Sequence, residues 1–513
     1  MASISTAVSL DRVSKVAGYE IDANLENLKP GFLNQRIAIL GQKETAFEGS
    51  TIAKLSATSA SEIAAEYGYK SQLYALARIL RPVLGGDKLG SIDTIFIPVA
   101  EPAGATATTD SIAISGTVNK TKTHYLKING RTNIDGSSYG YVVAVDDTPT
   151  QIAQKMIDAA NAALGCPVTG TLATADALFT SGWKGDSSDE LNIVIDTDGD
   201  AAGLTYAVTH VSGAGAVSVG DALAEFGDEW FTMVINGFNG DSEVLEALES
   251  FNGNANDKTG RYGATIFKPF VSFFGSNTVT SLSGVGSATE LTDDRKNEMT
   301  NVFCAAPNSL GWSFEAAANV VLLYAPIAQS NPNIDPMELL YPDMPTAENI
   351  GDFADVNKRD QIVKVGCSTV KLNGTKYEIV DLVTTSHPLN EPQTAVLFRW
   401  VRDLVGLDWN IKYKYALLES IHLNGKTIIT DEANVSASGT MSPKRWKSIL
   451  LTQFATDLVD NALIATFDVF KDSLQVQPGT SNPNRFETAF TCQRTGVIRV
   501  SSTTNQTQFY FKI

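Results

Sequence analysis

Two apolar spacings alternate along the first part of the chain. Arg36–Gly41 is a short continuous apolar run, the pattern of a strand buried on both faces, and Thr94–Val99 is another. Between them, Ser59 and Glu62 stand as a capping box before a helical spacing that reaches Leu80, with a break expected at Gly68. Strand, helix, strand in that order predicts a parallel α/β layer. The same alternation returns much later, with a strand at Trp230–Asn236, a helix at Ser242–Phe251 stopped by Gly253, and a strand at Thr265–Phe274. The α/β domain is therefore expected to be discontinuous, 21–105 and 216–383.

The interruption has a different pattern. The small-residue stretch EPAGATATTD, Glu101–Asp110, leads into short alternating segments at Ser111–Val118, Thr123–Ile128 and Tyr139–Val145. One helix follows. Thr148 is its cap, Pro149 its first residue, Ile152, Met156, Ala160 and Leu164 its buried stripe, and Gly165 its end. Further strands run to about Val211 and the stretch SGAGAVSVG closes the segment, so 106–215 reads as an inserted β-rich domain. Beyond it, five of the 18 prolines fall between Pro326 and Pro345, which predicts an extended surface crossing within 325–360.

In the last 130 residues, Val396, Trp400 and Leu404, with Leu397, Val401 and Val405, predict a wide apolar helix face, with Arg399 and Arg402 on the other side. Ser442 caps and Pro443 opens a long helix with Trp446, Leu450, Phe454 and Leu458 inward. Its first turn carries Lys444, Arg445 and Lys447. Cations there oppose the helix dipole by roughly 0.3–1 kcal/mol each, so compensation is expected from Asp431, Glu432 or solvent, or from an acidic partner. Both termini alternate like half-buried strands: Ile4, Thr6, Val8 and Leu10 at the start, Phe509, Phe511 and Ile513 at the end. Each such strand pairs within its own domain or extends the sheet of a neighbour.

Composition narrows the function classes. With 513 residues the chain is too long for one core, and 43% hydrophobic with 19% charged residues is ordinary for a globular protein. A net charge of −18 without a long basic run argues against nucleic acid and anionic membrane as partners. The apolar run Val320–Ala328 is half a bilayer span, and the N-terminus lacks an apolar signal core, so a soluble chain without a signal peptide is expected. Cys166, Cys304, Cys367 and Cys492 are too dispersed for a metal or disulfide framework and predict reduced, buried thiols.

Catalytic and ligand motifs are broken wherever they begin. The turn after Leu40 has one glycine and is followed by Glu44 and Glu48, and the Gly425-Lys426-Thr427 string has Ser420 where a phosphate loop needs its first glycine. Gly284 and Gly286 are followed by Thr289 instead of a third dinucleotide-binding glycine. GxSxG does not occur, and His124, His210, His387 and His422 are isolated along the chain. Asp196, Asp198 and Asp200 begin a calcium-loop spacing, but Ala201 and Ala207 replace its glycine and its glutamate, leaving a solvated acidic turn. No enzyme activity, cofactor or metal site is expected, and a hydrolase or nucleotide-binding enzyme of α/β fold is disfavoured.

The order VDLVTTSHP, then FRWVRDLVGLDWNIKYKYALLESIHLNGKTIITDE, then MSPKRWKSILLTQFATDLVDNALIATFDVFKDS, then NPNRFETAFTCQRTGVIRVSSTTNQTQFYFKI resembles the C-terminal domain of contractile tail sheath proteins, nearest those of Mu-like phages. GYEIDANLENLKPGFLNQRIAILGQKETA and NGDSEVLEALESFNG fit the same family pattern. The resemblance implies a multidomain α/β protein: an N-terminal linking arm (1–20), the discontinuous outer α/β domain, the insertion as a variable outer decoration, an inner polymerisation domain (384–500) and a C-terminal arm (501–513). It further implies a helical polymer of the chain with itself by strand exchange, around a tail tube protein. Baseplate and tail terminator proteins bound the polymer, which contracts to drive the tube through a bacterial envelope during genome delivery. Such a subunit is assembled in the host bacterial cytoplasm and resides in the virion. A sheath of a phage-like bacteriocin or other contractile injection system fits the same strings. In this reading Ile4, Thr6, Val8, Leu10, Phe509, Phe511 and Ile513 are the inter-subunit strands, and Lys444, Arg445 and Lys447 face the tube.

Overall fold

The first two apolar runs lie side by side, Arg36–Gln42 and Asp93–Val99 pairing in parallel from Arg36 opposite Asp93 to Gln42 opposite Val99. They form the middle of a six-stranded sheet in a computed structural model that describes residues 31–48, 53–84, 86–255, 257–433, 435, 437–482 and 484–505. The chain divides into two compact units, Leu33–Asn410 and Met1–Phe32 with Ile411–Ile513.

In the larger unit the sheet order is Asn301–Ala305, Val271–Ser276, Met233–Asn236, Arg36–Gln42, Asp93–Val99, Leu55–Ser56, parallel except for the last pair. Its strands are buried on both faces, which is why they read as continuous apolar runs without alternation. Ala38, Leu40, Ile95, Ile97 and Val234 pack with Leu223, Val244 and Leu248 from the helices Gly220–Ala224 and Ser242–Asn252. The helices Gln72–Leu80 and Ser313–Ser330 pack on each other and on the sheet. At Gly275 a Cβ would lie 1.7 Å from the Ser313 carbonyl oxygen, so only glycine lets this strand approach the start of the Ser313–Ser330 helix.

Four expectations about these elements are corrected. The helix after Ser59 does break at Gly68, whose φ is +92°, but the reciprocal capping box is absent: Glu62 takes the Thr58 N–H at 3.2 Å, and the real side-chain cap is Ser71 on the second helix, 2.9 Å from the Tyr74 N–H. The strand expected from Thr265 begins at Val271, because 263–268 turn back on Arg261, with Phe267 at φ +43°. Pro326 sits inside the Ser313–Ser330 helix. The crossing beyond it has no long element, yet it is not a surface strap: Tyr341 is 2% exposed and donates from its hydroxyl to the Ala305 carbonyl at 3.1 Å.

The insertion folds as a four-stranded antiparallel sheet, Leu204–Val211, Thr109–Gly116, Asp176–Ser181, Val168–Ala173, and a three-stranded one, Ile193–Asp196, Lys122–Ile128, Gly140–Val143. Its helix Pro149–Ala162 opens with the full capping box of Thr148 and Gln151 and buries Ile152, Met156 and Ala160. Leu164 lies beyond the helix end and is 66% exposed, contrary to the stripe read from the sequence. Asp196 and Asp200 spend carboxylate oxygens on the backbone N–H groups of Asp198 and Ala202, both at 2.9 Å, and Lys120 pairs with Asp200.

Polar and aromatic contacts stitch the insertion to the sheet domain. Arg131 gives one guanidinium nitrogen to both Glu315 oxygens at 2.9 Å and another to Asp343 at 3.0 Å, while Arg78 reaches Asp343 at 2.9 Å and Asp135 at 3.3 Å. Glu315 is 2% exposed. Burial pushes its carboxyl up while Arg131 pulls it back, with a net rise; at half-buried Asp343 partial desolvation pushes up, but Arg131 and Arg78 outweigh it and hold the carboxyl below its usual value. Trp183 packs its ring 5.0 Å from Trp312, which stacks on Phe314 at 5.6 Å.

Replacing Gly275 by Ala should force strand and helix apart and cost about 2–4 kcal/mol, toward the upper end of overpacking effects. Gly220→Ala, whose Cβ meets nothing nearer than 3.9 Å, is the matched control. Urea midpoints of the two variants check this: Gly275→Ala falls well below the parent chain and Gly220→Ala does not.

Candidate functional site, the C-terminal module

Charge is distributed unevenly along the chain. Residues 411–513 carry eleven lysines and arginines against eight acidic residues, so the whole acidic excess lies in the chain before them. The module is built on the helix Trp409–His422 and on three consecutive helical segments, Pro443–Ile449, wider π-helical turns at Leu450–Phe454, and Ala455–Asp460. The stripe read from the sequence is present: Trp446, Leu450, Phe454 and Leu458 are all 0–1% exposed. Tyr415, Phe454, Phe470 and Phe490 form one aromatic cluster with centroids 5.0–5.7 Å apart, and the Trp446 indole N–H donates to Thr488 at 3.1 Å. That bond ties the helix to the hairpin of Gln475–Pro478 with Phe486–Ala489.

At the centre lies an ion pair that no local pattern announces. Lys414 meets Asp457 at 2.7 Å with side chains 1% and 2% exposed, and Asn461 donates to the same carboxylate at 2.8 Å. The Lys414 ammonium also stands 4.8 Å from the centroid of the Phe32 ring, a cation–π contact that fixes this N-terminal residue in the module.

The three cations expected to face a partner are grouped at the helix start but differ in exposure. Ser442 accepts from the Arg445 N–H at 3.3 Å, as its capping role requires. The predicted acidic compensation comes from Asp431, whose carboxylate takes the backbone N–H of Lys444 at 2.7 Å and so places a negative charge at the positive end of the helix. Lys444 and Arg445 are exposed; Lys447 is half-buried and donates to the Leu474 carbonyl at 2.9 Å. The helix expected at Val396 starts only at Val401. Trp400 instead bridges to Val383, and the Thr384 N–H donates to the Arg399 carbonyl at 2.7 Å. Arg399 and Arg402, expected on a solvent face, are 4% and 3% exposed.

Ile4, Thr6, Val8, Leu10, Phe509, Phe511 and Ile513 lie outside the described residues. Just upstream of the last three, Ile498 and Val500 are each 87% exposed and alternate with half-buried Val497 and Arg499. Cys166, Cys304 and Cys367 are buried free thiols, and Cys492 is half-exposed, unlike the buried thiol expected.

A curated relative, the Mu-like prophage FluMu tail sheath protein of Haemophilus influenzae, is 24% identical over 412 residues, covering 77% of this chain and 78% of the relative. The resemblance to Mu-like tail sheath proteins thus extends well beyond the C-terminal strings. The crystal structure of a sheath tail protein from Desulfitobacterium hafniense aligns with 90% of this chain and 93% of its own at 13% identity and a TM-score of 0.40, too low a score to equate the two arrangements. No protein-family model matches the chain.

Lys414→Met leaves Asp457 buried without its cation and should cost about 3–5 kcal/mol, whereas Lys414→Met with Asp457→Leu should recover most of that loss. Thermal melting of the parent, single and double variants checks it: equal losses in both variants would mean that packing at position 414, not the unpaired charge, sets the cost.

Proposed function

We propose that this chain is the structural subunit of a contractile tail sheath, a component of the virion that polymerises helically around a tail tube and contracts to drive the tube through a bacterial envelope. The observation that carries the reading is the 412-residue similarity to a named tail sheath protein, which reaches beyond any single domain. The role is mechanical and no catalytic step belongs to it. Baseplate and tail terminator proteins bound the polymer, and assembly takes place in the host cytoplasm. A heterologous contact between identical subunits propagates into an open helix unless it closes, which suits a chain that must build a tube.

Within this reading the terminal strands cross to neighbours. Ile498 and Val500, two large apolar side chains left in solvent at the approach to the C-terminal strand, are what a subunit would present for pairing with another copy. Deleting Phe509–Ile513, or separately Ile4–Leu10, should leave the melting temperature of the monomer unchanged and abolish tubes in negative-stain micrographs. A truncated chain that unfolds, or one that still builds full-length sheaths, overturns strand donation; a full-length chain giving only small uniform particles overturns the sheath itself.

The tube contact is assigned to Lys444, Arg445 and Lys447. Changing all three to Glu should weaken assembly on the tube more than it lowers monomer stability, and most clearly at low salt, where exposed charges are least screened. Undiminished assembly at low salt would refute the assignment. Lys447→Glu alone separates the roles, since its bond to the Leu474 carbonyl predicts a stability loss that Lys444→Glu lacks.

A further inference from the structure

Isolated along the sequence, His210 is not isolated in space, and the cleft beside it contains a carboxylate whose environment is unusual. The cleft measures about 470 Å³ and is lined by Asp110, Asp189, Glu190, His210 and Leu310 among others. His210 is held from both sides, its Nδ1 at 2.7 Å from Asp110 and its Nε2 at 3.2 Å from Asp189. Glu190 extends the other way, out of the insertion. One carboxylate oxygen accepts the Ser313 N–H at 2.6 Å, in the first turn of the Ser313–Ser330 helix, and the other accepts from the Asn239 side-chain amide at 3.0 Å. That helix has no side-chain cap from its own N-cap residue, Trp312. The insertion therefore supplies the cap.

Both donors to Glu190 are neutral, and among the described residues Glu190 forms no ion pair. The charged groups around it are mostly of its own sign: Glu315 two residues along the helix from Ser313, Asp189 next in its own chain, and Asp110 on the facing strand with His210. Asp186 and Asp241 lie near the Asn239 amide. Arg131, a cation of the insertion, is already engaged by Glu315 and Asp343. One further atom is out of place. The side-chain oxygen of Asn239 is buried without a hydrogen-bond partner among the described residues, which ordinarily costs about 1–3 kcal/mol.

We propose that Glu190 and the Asn239 amide form a proton-dependent clasp that fastens the inserted domain to the first turn of the Ser313–Ser330 helix. With Glu190 charged, the carboxylate accepts from Ser313 and from the amide N–H, the Asn239 oxygen stays orphaned, and Glu190 repels Glu315. On taking one proton from the cleft, Glu190 becomes a carboxylic acid. A half-turn of the amide then puts the Asn239 oxygen where the new O–H donates to it, while the second carboxyl oxygen keeps the Ser313 N–H. The half-turn carries the amide NH2 to the place the oxygen left, so the gain on protonation is the removal of one of two neighbouring negative charges, and the clasp tightens on that account.

Burial raises Glu190 to about 7, helped by Glu315 and opposed by the bonds from Ser313 and Asn239. The folded chain holds this proton more tightly than the unfolded one, so the stabilisation is complete below about pH 4.5, the ordinary value, and is lost as pH rises through about 7. His210 is also raised and works in the same direction, so the test must separate the two.

Amide hydrogen exchange of the full chain, corrected for the intrinsic effect of pH, reads the clasp at Ser313–Ala317. The parent chain should be about tenfold better protected at pH 6 than at pH 8, as a carboxyl shifted by more than one unit allows. Glu190→Gln, whose amide can donate to Asn239 and accept from Ser313 without charge, should show the pH 6 level at both values. His210→Gln should leave the midpoint of the parent's transition in place. The clasp is overturned by a pH-independent parent, by a Glu190→Gln chain that keeps the transition, or by disappearance of the transition in His210→Gln.

Discussion

A carboxylate sealed to 2% exposure in the first turn of a helix that packs on a parallel sheet cannot stand alone, and the larger unit is arranged around satisfying Glu315. The helix dipole favours an acid in that turn by a fraction of a kcal/mol, far less than the several kcal/mol needed to strip a carboxylate of water. The rest comes from Arg131, which lies in the insertion, and from the geometry that Asp343 and Arg78 impose on that guanidinium. Sheet, insertion and proline-rich crossing therefore meet at one ion network. Gly275 is the steric counterpart of the same requirement, since the strand beneath must come close for the helix start to sit there. An insertion that looks like a separable decoration in the sequence supplies both a counter-ion and a helix cap to its host.

Those parts of the fold were legible whose burial is determined by neighbours along the chain. Arg36–Gln42 and Asp93–Val99 stood out because strands covered on both faces have no polar alternation, and the Thr148-Pro149 start stood out because capping chemistry is local. The Val396–Trp400 spacing failed for the converse reason. Its period is helical, but Leu397 and Phe398 form a turn and the backbone of Arg399 and Trp400 bonds to Val383 and Thr384, and no spacing records which distant backbone offers a ladder. Arg399 and Arg402 misled in the same way: a buried guanidinium is stable when carbonyl or amide oxygens reach it, as Asn333 reaches Arg402 at 3.0 Å and Gln393 reaches Arg399 at 2.6 Å. Pro326 interrupts a helix whose apolar packing on the sheet outweighs one missing hydrogen bond.

The same division runs through the candidate site. The cation triplet was found from its conflict with the helix dipole, and the conflict is relieved by Asp431, twelve residues before the first helical residue, Pro443. The Lys414–Asp457 pair was invisible, because charged residues 43 positions apart read as surface until the fold seals them. Buried pairs of this kind contribute little net stability when intact and a large penalty when broken, so the module tolerates a matched replacement better than a single one.

Phe32 belongs to the C-terminal module, held under the Lys414 ammonium, and the chain re-enters that module at Ile411. Everything between the two leaves from and returns to the same body, so in connectivity the larger unit is a closed loop hung on the smaller. Phe32, Lys414 and Asp457 therefore close that loop inside one small core, where a single buried ammonium holds both the aromatic ring at its entry and the carboxylate opposite.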